Sequence, residues 1–401
     1  MSNKATPKSP VRRIAAPLVA SVGQKYPVVT ISGPRQSGKT TLCRMEFDGL
    51  PYTNLEAPDI RSRAETDPRS FLAEFPRGAV IDEFQRVPDL SSYIQTMVDE
   101  PGFAGTFVLT GSRNLSVRNT VSQSLAGRTA LVTLLPFSLA EVRKYRTPEA
   151  ADELLFRGFY PRIYDRGLDP VQALSDYVGT YLERDLRTLS SVHNLSLFQK
   201  FMGLCAGRLG QLLNLESLGN DTGVSQSTAR EWLTLLEASY IAFRLPPFFA
   251  NIGKRLIKTP KLYFYDVGLA SHLLGIRDPT QLRNHPLRGM LFENLIVVEV
   301  IKFFLNRGPK RDLYFYRDSN GNEVDLLVSD GTKLFPIEIK AGATTTPAFF
   351  KGLGRIAEVL PNVADPVLVY GGDSEFKQLG AQVVPYTKLP ALLKHRFATR
   401  K

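Results

Sequence analysis

Cysteine and histidine are scarce in this chain: Cys43 and Cys205 are the two cysteines, and His193, His272, His285 and His395 the four histidines. They are scattered, and none falls at a metal-ligand spacing. A disulfide framework and a zinc ribbon are therefore excluded, and the usage fits a reducing cytoplasm. Long apolar runs are also missing. The longest, residues 291–305, is interrupted by Glu293, Glu299 and Lys302, so no membrane span is expected. The first residues are basic without an apolar centre, so no secretory leader is expected either. There is no tandem repeat. Acidic residues are in deficit, 39 against 50 basic ones, which leaves a formal net charge of +11. A surplus of that size suits a polyanionic partner. Part of it lies at the two ends, in Lys4, Lys8, Arg12 and Arg13 and in Lys394, Arg396, Arg400 and Lys401. These read as frayed tails with at most auxiliary phosphate contacts.

What the chain does have is concentrated in Ile31-Ser-Gly-Pro-Arg-Gln-Ser-Gly-Lys-Thr-Thr41. Gly33, Pro34, Arg35, Gln36, Ser37, Gly38, Lys39 and Thr40 fit G-x-x-x-x-G-K-[ST], the loop that wraps nucleotide phosphates, and Thr41 extends it. Residues 26–31 read as a buried strand and residues 41–47 as the start of a helix. That context separates a phosphate loop from a glycine-rich turn with an incidental lysine. Gly33 and Gly38 let main-chain N–H groups face the phosphates at the positive end of a helix dipole. Lys39 supplies charge for the β- and γ-phosphates, and the Thr40 hydroxyl is placed to hold Mg²⁺. ATP and Mg²⁺ are the expected ligands.

Gly78-Ala-Val-Ile-Asp82-Glu83 is an apolar strand ending in two carboxylates. Beside the phosphate-loop strand it would carry Asp82 to the Mg²⁺ shell, with Glu83 able to orient or deprotonate an attacking water. A third apolar strand, Thr106-Phe-Val-Leu-Thr110-Gly-Ser112, ends in hydroxyls. Lying between those two strands it would present Thr110 and Ser112, candidates for sensing the γ-phosphate or for capping the turn that follows.

Strands at 28–32, 52–55, 79–82, 107–110 and 130–135 alternate with helical stretches, which predicts a mainly parallel sheet covered on both faces. Lys39, Asp82 and Thr110 fall at the carboxyl ends of their strands, where such sheets bind phosphate. Residues 137–195 read as helical, with a break at Gly158-Phe-Tyr-Pro-Arg162 and an amphipathic helix over 176–187. Helices at 197–206, 214–220 and 227–238 are followed by paired strands at 241–245 and 261–265, a winged-helix pattern. Arg230, Lys254, Arg255 and Lys258 are where such a module would meet DNA phosphate. It could equally be a packing or protein-contact module.

The last third changes character. A helix over 289–306 carries Glu293, and strands at 313–317, 323–329 and 334–340 carry Asp325, Glu338 and Lys340. Side chains alternate along a strand, so Glu338 and Lys340 share a face. Carboxylates and a lysine in this order can hold a divalent ion beside a phosphodiester. They can equally be ion pairs on strand edges.

Taken together, GPRQSGKTT (33–41), AVIDEFQRVPDL (79–90), LTGSRN (109–114), SLAGR (124–128), KLYFYDVGLA (261–270), LFEN (291–294) and NEVDLLV…IEIKAG (322–342) carry a resemblance over nearly the whole chain. The chain resembles a prokaryotic family of AAA+ ATPases with a winged helix and a carboxy-terminal domain similar to PD-(D/E)xK nucleases. The fold class implied is α/β: a P-loop AAA+ core over 1–136, a helical lid over 137–195, a winged helix over 196–280 and a restriction-endonuclease-like domain over 281–401. The resemblance implies an oligomer, a hexameric ring being the simplest, with a neighbour's arginine reaching each nucleotide. Arg128 matches that role best, Arg113 next, and Arg162 matches a second sensor of bound nucleotide. For the nuclease-like part the matches are Glu293, Asp325, Glu338 and Lys340, with Val324 where the proline of the motif's name would stand. Three functions stay open: DNA remodelling driven by ATP, a metal-dependent nuclease gated by ATP, and a nucleotide-switched scaffold without nucleic acid.

Overall fold

The computed structural model describes residues 11–112, 124–146, 150–181, 194–248, 259–308, 311–318 and 320–397. The expectations for Lys4, Lys8, Arg113, Asn114, His193, Lys254, Arg255, Lys258, Arg400 and Lys401 concern residues outside these.

Five strands, β1 (Val28–Ser32), β2 (Tyr52–Asn54), β3 (Val80–Asp82), β4 (Phe107–Gly111) and β5 (Thr129–Thr133), form a sheet in the order β2-β3-β4-β1-β5. All its pairings are parallel. Every residue of β1 and β4 is buried, as expected of central strands covered on both faces. The strand bearing Asp82 is not directly beside the phosphate-loop strand; the strand that ends in hydroxyls lies between the two, as expected of it. The longer, wholly buried β4 takes the place between them, and the three-residue β3 is displaced outward. Register keeps the chemistry together: Ile31 lies opposite Thr110, and Ile81 opposite Leu109. Helices α1 (Ala16–Gly23), α2 (Lys39–Glu46), α3 (Pro58–Thr66), α4 (Pro68–Ala73) and α5 (Leu90–Val98) belong to this domain.

Short helices follow: α6 (Leu139–Val142), α7 (Ala151–Arg157), α8 (Pro161–Asp165) and α9 (Pro170–Tyr181). The amphipathic helix expected over 176–187 starts earlier, at Pro170, whose fixed φ suits a first turn. Beyond residue 181 it lies outside the described residues. Next come α10 (Leu195–Gly207), α11 (Leu215–Thr222) and α12 (Gln226–Ala238). Asn194, Asn214 and Ser225 each accept a backbone N–H at the start of their helix, the satisfaction of orphan donors that defines an N-cap. Trp232 packs edge-on against Phe198 and Phe201 and closes the three helices on one another. An antiparallel ribbon, β6 (Ala242–Leu245) with β7 (Lys261–Phe264), and α13 (Val267–Leu273) complete this region.

The third region is a six-stranded sheet, β8 (Asp312–Arg317), β9 (Glu323–Ser329), β10 (Leu334–Lys340), β11 (Val367–Tyr370), β12 (Phe376–Gln378) and β13 (Ala381–Pro385), in the order β12-β13-β11-β10-β9-β8. Helix α14 (Arg288–Leu305) covers one face and α15 (Lys351–Val359) the other, with α16 (Leu389–Phe397) beside α14. One contiguous apolar core runs from Phe137 to Leu393 through all of this. Lys394 and Arg396 lie in α16, and Arg396 donates to Asp365 O; they are part of a helix rather than a tail. Among the described residues no helix is long and apolar enough to cross a membrane.

Candidate functional site

Strand β1 delivers the chain into the phosphate loop, and the loop's backbone demands its glycines. Gly33 has φ +151°, and a Cβ there would stand 2.1 Å from Leu134 O. Gly38 is left-handed (φ +91°) at the start of α2. A side chain at Gly33 would collide with that backbone, and one at Gly38 would strain the left-handed backbone. Lys39 is buried and donates to Gly33 O at 2.9 Å and Pro34 O at 2.7 Å. Burial pushes its ammonium down to about 8, against the opposing pull of Glu83 and Asp82.

Asp82 ends β3 facing α2. Its Oδ2 accepts from Thr40 Oγ1 and from the Tyr52 hydroxyl, each at 2.7 Å, and its Oδ1 from Thr110 Oγ1. Glu83 follows at φ +55°, a left-handed conformation that costs a non-glycine residue about 1–3 kcal/mol and clusters at functional sites. Its backbone N–H donates to Asp82 and its carboxylate accepts from Gln85. Two buried hydroxyl oxygens here, Ser37 Oγ and Ser112 Oγ, have no hydrogen-bond partner. The residues present fit a nucleotide with Mg²⁺: carboxylate and hydroxyl oxygens for the cation, and a glycine-shaped cradle with spare donors for the phosphates.

The loop opens on a cleft of about 510 Å³, lined by Arg35, Lys39, Thr40, Asp82 and Glu83 on one side and by Pro161, Arg162, Asp165 and Arg166 on the other. Arg162 is therefore placed in the same cleft by the amino end of α8. Arg128 is not. It precedes β5 at the sheet edge opposite the phosphate loop, where it pairs with Asp99 at 2.6 and 2.7 Å.

Arg13, expected in a frayed tail, is buried. Its guanidinium donates to Ser37 O at 2.6 Å, to Leu135 O at 2.8 Å and to Glu141 Oε1 at 2.9 Å. Burial alone would raise the Glu141 carboxyl, but Arg13 and the N–H groups of Ser138 and Ile14 hold it below its ordinary range. The guanidinium's planar fork explains the choice of residue, because it satisfies a carboxylate and two carbonyls together. Arg12 next to it is exposed and pairs with Glu46.

The second charged cluster sits where α14, β7, β9 and β10 meet. Lys340 Nζ lies 2.6 Å from Glu338 Oε1 and 3.5 Å from Asp325 Oδ2, and Asp325 Oδ2 also accepts the Ile339 N–H. Glu293, from α14, accepts from the Tyr263 hydroxyl at 2.5 Å and from Lys261 at 3.2 Å. Burial, then the proximity of Asp325, raises both the Glu293 and the Glu338 carboxyls. The four residues singled out in the sequence are thus drawn to one place, together with a lysine and a tyrosine from β7.

Three known families match successive parts of the chain: an AAA domain over residues 25–143, a domain of unknown function (DUF8612) over 148–280, and a domain of unknown function (DUF4143) over 288–389. Two uncharacterized proteins, Rv2008c of Mycobacterium tuberculosis and Mb2031c of Mycobacterium bovis, are each 34% identical to it over 368 residues, 91% of this chain and 81% of theirs. The chain belongs to their family. Among solved structures, a Walker-type ATPase of Pyrococcus abyssi is similar with a TM-score of 0.46 at 14% identity, covering 67% of this chain and 98% of that one.

This family member therefore carries a P-loop ATPase domain of the AAA type at its amino-terminal end. Several of its site residues escape a motif search. Tyr52 precedes no pattern and reaches Asp82 only because β2 pairs with β3. Tyr240, left-handed at φ +57°, meets Ser32 Oγ with its hydroxyl at 2.7 Å, directly before the phosphate loop. Lys261 lay inside a quoted motif, KLYFYDVGLA, yet nothing in the spacing pointed it at Glu293.

Proposed function

We propose that this chain is an ATPase that hydrolyses ATP with Mg²⁺ in the cytoplasm, acting as a homo-oligomer on DNA, with 1–136 as motor core, 137–195 as lid, 196–280 as winged helix and 281–401 as a nuclease-like domain. The observation that carries the ATPase part is the Asp82 carboxylate at the mouth of the loop, ringed by the hydroxyls of Thr40, Tyr52 and Thr110. Mg²⁺, when bound, neutralises charge developing on the transferred phosphoryl group. Thr40 and Asp82 are the residues that would hold it. The loop N–H groups and Lys39 orient the phosphates. Glu83 orients the water and takes its proton. Thr110 fixes the Asp82 rotamer, and Ser112 offers a hydroxyl to the γ-phosphate. Arg35 and Arg162 meet the nucleotide from the cleft walls, and Arg128 serves a neighbouring subunit, since it is remote from its own loop.

Support for DNA comes from the +11 charge and from three helices followed by a strand ribbon, with Arg230 exposed on the third. The deciding experiment is steady-state ATP turnover at physiological salt, alone and with single-stranded, duplex and branched DNA. Stimulation by one form is expected. An identical rate throughout removes the DNA reading in favour of a protein-directed switch. Glu83→Gln should still bind ATP but turn over about 10²- to 10⁴-fold more slowly; unimpaired turnover would end the assignment of Glu83 as base.

A further inference from the structure

The resemblance to PD-(D/E)xK nucleases implies a divalent metal held by Glu293, Asp325 and Glu338, and the residues around them do not fit one. A hard cation needs free carboxylate lone pairs converging on one point. Here the Lys261 ammonium, its side chain 3% exposed, stands 3.2 Å from Glu293 Oε1 and 2.5 Å from Glu323 Oε1. The Tyr263 hydroxyl donates to the same Glu293 oxygen. On the other flank Lys340 bridges Glu338 Oε1 and Asp325 Oδ2, and the Ile339 N–H takes a further place on Asp325. Each of the three carboxylates is thereby engaged by donors of the chain itself. Among the described residues no three His, Cys, Asp or Glu side chains are arranged to hold a metal ion. These contacts fall on one oxygen of each carboxylate, Glu293 Oε1, Asp325 Oδ2 and Glu338 Oε1, and Glu338 Oε2 is buried without a partner.

Lys261 does not belong to the nuclease-like sheet. It opens β7, pairs with Leu245 of β6 and reaches the cluster from the preceding module, its ammonium 5.4 Å from the centre of the Phe315 ring. Burial would strip its proton, but Glu293, Asp325 and Glu323 outweigh that and keep it charged.

We infer that Lys261 is the resident cation of the Glu293–Asp325–Glu338 cluster: it closes the cluster to divalent metal and locks the nuclease-like module against the middle one. A buried ammonium among carboxylates neutralises them as a metal would, and both cannot be there at once. While Lys261 is seated, the module has no metal with which to cut a phosphodiester. Withdrawing it frees Glu293, the carboxylate that Lys340 does not pair with, and leaves the cluster short of one positive charge.

The test is calorimetric titration of the full-length, nucleotide-free chain with Mn²⁺ alone. The proteins are the unaltered one, Lys261→Met, and Lys261→Met combined with Asp325→Asn. Expected are no Asp325-dependent Mn²⁺ binding in the unaltered chain, a gained site in Lys261→Met, and its loss in the double variant. Equal Asp325-dependent binding by the unaltered chain and Lys261→Met, whether present in both or absent from both, overturns the inference. Should Lys261→Met not fold, Lys261→Gln, polar but uncharged, should gain the same site more weakly. Asp325-dependent Mn²⁺ binding by the unaltered chain is decisive against the lock without any variant at position 261.

Discussion

Two buried cations define the phosphate loop at the level of single residues. Lys39 gives up desolvation energy to sit where it does, and its lowered pKa has a measurable consequence. Below about pH 8 the free loop carries a charged lysine; above it, the ammonium is progressively lost. A bound triphosphate favours the charged form and raises that pKa, so nucleotide affinity should be level below pH 8 and fall above it, by up to about tenfold per pH unit. A fluorescent ATP analogue titrated across that range measures it, and Lys39→Arg should flatten the fall because a guanidinium stays charged. A level affinity in the unaltered chain would show that the Lys39 proton takes no part. The folding linkage runs the other way. The unfolded lysine binds its proton up to an ordinary 10.5, so this group adds stability as pH climbs from about 8 towards 10.5. Arg13 is the second cation. Arg13→Ala leaves Glu141 buried without its partner and should cost about 3–5 kcal/mol by denaturant unfolding. Arg13→Lys should fold but raise the KM for ATP, since one ammonium cannot hold Glu141 and the Ser37 carbonyl in the fork's geometry.

Among the elements, α14 joins the two charged centres. Glu293 points from it into the lysine-filled cluster, and Glu299 and Lys302, further along, grip the chain beneath the phosphate loop. Lys302 donates to Phe137 O at 2.7 Å and Glu299 Oε1 at 3.1 Å and lies 4.0 Å over the Phe159 ring. Glu299 Oε2 accepts the Leu139 N–H, and residues 138–141 in turn hold Arg13 through the Ser138–Glu141 capping box. The polar residues that break the apolar run are thus the ones that fasten it. Lys302→Met should destabilise by about 3–5 kcal/mol, because Glu299 stays buried without its counter-charge. Burial already raises the Glu299 carboxyl. The loss should therefore shrink as pH falls and the acid takes up its proton, and be largest near neutrality. Equal destabilisation at both ends of that range would mean that packing of the lysine stem over Phe159 dominates.

For the whole molecule, the question is whether the nucleotide site is complete within one chain. Arg128 sits at the amino end of β5, paired with Asp99 and away from the loop at the carboxyl end of β1, so if it acts on nucleotide it acts on a neighbour's. Arg128→Ala and Lys39→Ala should each abolish turnover, and mixing the two inactive proteins should restore part of it. Only a mixed oligomer joins an intact loop to an intact arginine. If Arg128→Ala keeps full activity, or the mixture recovers none, the trans role fails.

The local chemistry of this protein was legible in the linear chain. The phosphate loop, the Asp82–Glu83 pair, the hydroxyls after β4 and the Asp325, Glu338 and Lys340 alternation rest on near-neighbour spacing, which backbone geometry turns directly into position. The start of α11 was legible for the same reason, since Asn214 caps a bond that lies three residues away. What depended on contacts distant in sequence was not. Arg13 looked like a tail residue because its partners, Ser37, Leu135 and Glu141, are gathered only when β1 and α6 fold over it. The seat of β4 between β1 and β3, by contrast, was legible from its hydroxyl-bearing end, which has to face the γ-phosphate between the other two strands. Lys261 was a lysine like any other until β7 set it against Glu293. The sequence by itself determined which groups could bind phosphate and metal, since that is chemistry of side chains and short spacings. Only the tertiary structure decided which of those groups are open to a ligand and which are already satisfied by the protein's own charges, since that depends on burial and on partners far along the chain.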